Sequence, residues 1–277
     1  MDHYNDAAAV ALVTGRGGPE VRRKVAPGLR TWFHRRMPWD FWLIFFVLGA
    51  LLPWRGRLRL QKLMKIPQMG RRERLSLYAS TIAFQWLAVG VVAWRTWARG
   101  LTLDELGLVV HGRWRILIAA IVGAATLGGL QWLNLRRMGR SSGKAREFMQ
   151  VLAERILPQS PVELLPYLWL AVTAGLCEEF LYRGFAIAAL TRAGLPVWGV
   201  VLLSSVLFGL AHLYQGRGGI VSTLVVGAVF GTARIAYDGL APVMLWHFAV
   251  DAVAGVAGPK YLVRAIPPTV AEEIHRR

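Results

Sequence analysis

The chain has 277 residues, 55% of them hydrophobic and 18% charged, with a mean hydropathy of +0.41, a balance that excludes an ordinary soluble domain and points to a membrane protein. Thirty-three Lys and Arg against 16 Asp and Glu give a net charge of +17, which in a membrane chain marks basic loops facing anionic headgroups rather than a nucleic-acid surface. The single cysteine, Cys177, excludes an internal disulfide and a thiolate metal cage.

Residues 1–36 read as a disordered basic arm. The apolar stretch Ala7–Val13 is too short, and too close to Asp2 and Asp6, to serve as the core of a cleaved signal peptide. A helix needs about 18 to 20 apolar residues to cross roughly 30 Å of hydrocarbon. The first run, Pro38–Trp54, is short and carries Asp40, so it reads as a thin, tilted or re-entrant span. Six fuller runs follow: Leu75–Trp94, Ile116–Leu135, Leu164–Leu190, Pro196–Leu213, Gly219–Tyr237 and Leu240–Gly258. Trp54, Trp94, Trp97, Trp114 and Trp132 fall near the run ends, where an indole can anchor in the headgroups. The pattern predicts an all-α polytopic transmembrane bundle of about six to eight helices. Lys and Arg crowd the segments between Trp54 and Leu75 and over 136–163, so the positive-inside rule puts these and the C-terminal tail in the cytoplasm of a cell (plasma or inner) membrane protein.

Charges buried at membrane depth cost several kcal/mol unless they are paired or hydrated. Here they gather between 178 and 251, on separate runs. In Cys-Glu-Glu-Phe-Leu-Tyr-Arg-Gly (177–184), Glu179 and Arg183 are four apart and share a helical face, whereas Glu178 is rotated by about 100° and left as the free carboxylate. Such a group can act as a general base toward water. The same three charges also read as an ion cluster that fixes helix register. In Phe-Gly-Leu-Ala-His (208–212), His212 can position a water or share a proton with Glu178, or simply pack with its hydrogen bonds satisfied. In His-Phe-Ala-Val-Asp (247–251), His247 and Asp251 form an i, i+4 pair that can hydrogen-bond internally, bind metal or point together at an oxyanion.

Glu-Glu-x-x-x-Arg, Phe-x-x-x-His and His-x-x-x-Asp in this order resemble the CAAX-protease and bacteriocin-processing (CPBP, or Abi) family of intramembrane proteases, over roughly residues 160–258. The resemblance implies an intramembrane cavity in the C-terminal half and peptide-bond hydrolysis by water activated at Glu178 with His212. It also implies that His247 and residue 251 stabilise the oxyanion, with Glu179 and Arg183 supporting. Family members often carry Asn at the last position; this chain has Asp251, and an ionised Asp cannot donate to an oxyanion. The implied organisation is a set of N-terminal helices and basic loops over 37–158, a catalytic bundle over 159–260 and a cytoplasmic tail over 261–277. The implied substrates are membrane-embedded or lipidated, CAAX-like peptides in a bilayer with anionic headgroups, and no nucleic acid.

No cofactor is expected, although Glu178, His212, His247 and Asp251 are all of a type to ligate zinc. No His-Glu-x-x-His occurs, and Gly139-Arg-Ser-Ser-Gly lies in a basic loop rather than on a buried helix. Gly227 and Gly231 form a Gly-x-x-x-Gly packing face, Arg234 is expected to snorkel to the interface, and Cys177 to fill space. Three other classes compete with a protease: a proton-coupled transporter using the Glu/His/Asp cluster, an inactive membrane scaffold or immunity protein, and a metal-binding permease.

Overall fold

The computed structural model describes residues 37–66 and 68–263, and among these every regular element is helical. The basic arm and most of the tail lie outside the described residues. Helix α1 (Trp39–Met64) is followed by α2 (Arg71–Ala98), α3 (Arg113–Arg140), a surface helix α4 (Lys144–Ile156) and the long α5 (Pro161–Arg192). Then come α6 (Val197–Ala211), α7 (Gly216–Ala236) and α8 (Ala241–Leu262). The protein is a polytopic all-α membrane bundle, with six helices long and apolar enough to cross.

Two apolar runs behave differently from expectation. The first continues as helix to Met64, so α1 has 26 residues and is long enough to span. Its basic half stays helical because the cations find partners: Arg59 donates to Ser80 Oγ at 2.8 Å, and the Arg55 guanidinium lies 5.3 Å over the Phe84 ring, both on α2. Conversely, the run Pro196–Leu213 yields an α6 of only 15 residues, about 22 Å long, which ends inside the bundle at His212. The basic segment over 136–163 also holds α4, which tucks Ala153 against Tyr78, Leu135, Tyr167 and Leu262.

Ion pairs clamp the two ends. On one face, Asp40 accepts from Arg95 at 2.6 Å, Glu105 from Arg192 at 2.5 Å, and Gly107 O from Leu240 N at 2.8 Å. The hydrogen bonds from Arg192, joined by those from Thr102, outweigh partial burial and bring the Glu105 carboxyl down to about 2. Arg234 does not snorkel: it is buried, donating to Glu105 O at 2.9 Å and to Asp238 at 3.3 Å, and so holds the 99–112 loop over the bundle. On the other face, Glu163 accepts from both Arg74 Nε and Nη2 at 2.9 Å, which ties α2 to α5.

Residue pairing along α2 and α5 ascends in both helices. Arg74 meets Glu163, Tyr78 stacks edge-on to Tyr167 at 5.7 Å, and Gln85 reaches Glu178. The two helices therefore run parallel. Backbones also approach closely where the polar residues sit. A Cβ on Gly175 would lie 2.9 Å from Met244 O of α8, and one on Gly227 would lie 3.1 Å from Ser205 Cα of α6. The Gly227/Gly231 face is thus a packing face, as its spacing predicts.

Candidate active site

Glu178 and Glu179 are neighbours on α5 and so point in different directions. Glu179 turns inward. Arg183 Nη1 donates to its Oε1 at 2.9 Å, and both side chains are 0% exposed. Arg183 lies within a π turn of α5, Phe180–Phe185, that begins directly after Glu179, an irregularity that often marks functional positions. His247 Nδ1 donates to the same Glu179 oxygen at 2.7 Å. The anticipated Glu179–Arg183 pair is present, and its carboxylate also holds α8 through the histidine. The rest of the guanidinium meets aromatic faces, 4.0 Å from the centre of the Phe208 ring and 5.5 Å from that of Phe230.

Glu178 faces the more open side and is 20% exposed. Its Oε2 lies 3.9 Å from His212 Nε2, too far for a direct hydrogen bond. His212 Nδ1 sits 2.8 Å from Phe208 O; a carbonyl only accepts, so this nitrogen carries a proton, and when the ring is neutral its Nε2 lone pair turns toward Glu178. Two acceptors at that separation suit one water donating a proton to each. The spacing of the Phe-x-x-x-His motif now has a physical reason: Phe208 supplies the ring over Arg183 and the carbonyl that sets the His212 tautomer.

Asp251, one turn after His247, is 35% exposed, and its Oδ2 lies 3.6 Å from His247 Nε2. Tyr167 of α5 donates its hydroxyl to the Asp251 main-chain oxygen at 3.3 Å. All six residues singled out in the sequence therefore come together from α5, α6 and α8, with Glu179 and Arg183 beneath and the other four above. Cys177 is buried packing.

One residue of the cluster escapes sequence reading. Glu178 is not free: Gln85 Nε2 of α2 donates to its Oε1 at 2.7 Å. The available signal was an amide in the middle of an otherwise apolar run, eleven residues after Arg74 and hence on the same helical face.

Zinc needs at least three ligand atoms about 2 Å from one centre. Among the described residues, the group of three whose ligand atoms all lie within 4.8 Å of one another is Asp104, His111 and Asp238, exposed on the loop face. Glu178, His212, His247 and Asp251 form no such group, meeting instead as the pairs Glu178–His212 and His247–Asp251. As placed, they do not fit a zinc ion.

Comparison with known proteins bears on the same segment. Residues 160–253 match the family model of the Rce1-like type II CAAX prenyl endopeptidases. This segment is similar to an Rce1-like domain. It includes every residue from Glu178 to Asp251, and this likeness to a CAAX protease family, together with six helices long and apolar enough to cross, supports a multi-pass membrane protein of protease class. No curated protein and no solved structure gave a significant match.

Proposed function

We propose that the protein is an intramembrane endopeptidase that hydrolyses membrane-associated or lipidated, CAAX-like peptides with a water activated at Glu178. The observation that carries this reading is the 3.9 Å gap between Glu178 Oε2 and the acceptor nitrogen of His212. A water there donates to both. As its oxygen attacks the scissile carbonyl, one proton passes to Glu178, which later delivers it to the leaving amine. His247, already donating from Nδ1 to Glu179, has a carboxylate near each nitrogen and can hold both protons, leaving Nε2–H for the oxyanion. Asp251 adds a second donor when it carries a proton. Glu179 and Arg183 fix the His247 ring from below. No metal enters this reading, since the ligand atoms are not gathered for one.

Residues 159–260 are the catalytic bundle in this account, with 37–158 as the supporting helices. Sixteen described Lys and Arg lie toward the face from which α2 and α5 start, against six toward the other, Arg234 included, which supports a cytoplasmic location for the former face and for the C-terminus in a cell membrane. The test is cleavage of a quenched CAAX peptide, prenylated or bare, by the purified protein in vesicles, with and without a strong chelator. Cleavage of the prenylated peptide that survives chelation and vanishes in Glu178→Gln is expected. Cleavage by Glu178→Gln, or its loss on chelation, overturns the glutamate mechanism.

A further inference from the structure

Gln85 lies outside the matched segment, near the middle of α2, where an unpaired amide is costly. Its Nε2 is 2.7 Å from Glu178 Oε1, while its Oε1 is buried and meets no hydrogen-bond partner among the described residues. Nothing but the Glu178 carboxylate therefore selects which way the amide is turned.

The carboxylate end of a glutamate rotates over a broad, roughly two-fold range and needs an external partner to hold one orientation. Gln85 supplies it. With Oε1 tied to α2, Oε2 is the oxygen that faces His212. The helix carrying Gln85 is itself locked in register by the bidentate Arg74–Glu163 pair and the Tyr78–Tyr167 contact, on the same stripe of α2. We propose that Gln85 is the positioning residue for Glu178, an N-terminal contribution that aims one carboxylate oxygen at the water site. This inference rests on Glu178 acting as the base.

The donor, rather than the bulk, is what matters, so Gln85→Leu and Gln85→Met are the variants to make. Both are assayed as full-length protein in vesicles on the prenylated CAAX peptide, alongside Glu178→Gln. Each Gln85 variant should lose about 10- to 100-fold in kcat, as expected for a misaimed catalytic group, with KM changed less than about threefold. The acidic limb of the kcat profile should move to higher pH, because a carboxylate deprived of its donor needs a higher pH to be ionised. Thermal stability should hold, and the second apolar variant covers the case in which one fails to fold. Combined with Glu178→Gln, neither should cost anything further.

If Glu178→Gln is inactive while a folded Gln85 variant keeps wild-type kcat and an unmoved acidic limb, the positioning role is wrong and the base assignment stands. If Glu178→Gln itself cleaves, the base assignment fails, and the proposal with it.

Discussion

The two adjacent glutamates should fail in opposite ways. Glu179 is fully buried and is the charge partner of an equally buried Arg183, with His247 donating to the same oxygen. Glu179→Gln keeps an acceptor oxygen but removes the charge. Stripping one partner from a buried ion pair costs about 3–5 kcal/mol, and the retained acceptor argues for the lower end, about 3. For a chain of this size each kcal/mol moves the midpoint by about 2–4 °C, so a drop on the order of 10 °C is expected. Glu178 is partly exposed and loses only the charge on one amide hydrogen bond, which a Gln side chain can still accept from Gln85. Glu178→Gln should cost less than about 1 kcal/mol in stability while lowering cleavage by about 10²- to 10⁴-fold. Unfolding in detergent, followed by fluorescence of the 12 Trp at a fixed heating rate, gives the midpoints, and peptide cleavage gives the activities. Equal midpoint shifts in the two variants, or a larger shift in Glu178→Gln, would refute the division of labour.

Asp251→Asn should retain cleavage and extend it to higher pH, because the amide donates at every pH whereas the carboxyl donates only when protonated; a pH–rate comparison reads this, and an inactive Asn variant speaks against the oxyanion role. Glu163→Gln should lower the melting midpoint by roughly 10 °C, for a buried-pair loss of about 3 kcal/mol, with cleavage at low temperature retained; its bidentate partner Arg74 is the buried charge left behind. Glu105 titrates near 2 in the folded protein through its Arg192 hydrogen bonds, below the usual carboxylate value. Its contribution is therefore complete above about pH 4.5 and lost as pH falls toward 2, by a modest amount because the group is a third exposed. Melting curves of wild type and Glu105→Gln should converge over that window, and a gap that persists down to pH 2 would contradict the assignment.

Hydropathy alone located every helix-forming apolar run, because twenty apolar residues have few other solutions in a bilayer. What it could not see was length set by partners. The α1 helix outlasts its apolar stretch because Arg59 and Arg55 are satisfied by Ser80 and Phe84, and α6 stops short at His212, which puts an imidazole at depth. The i, i+4 arithmetic anticipated the Glu179–Arg183 pair and the divergence of Glu178. It could not anticipate His247 sharing Glu179, Arg234 turning into the loop, or Gln85 reaching Glu178, since each is a contact between distant segments. Periodicity reports faces, whereas partners across a helix interface depend on how the faces are docked.

The central claim, that this is a protease whose base is Glu178, is met most directly by comparing peptide ends in membranes carrying the wild-type chain or Glu178→Ala at matched expression. The account predicts a discrete set of C-terminal or juxtamembrane fragments present with the wild type, absent with the variant and unaffected by a strong chelator. Indistinguishable fragment profiles from the two membranes would contradict it.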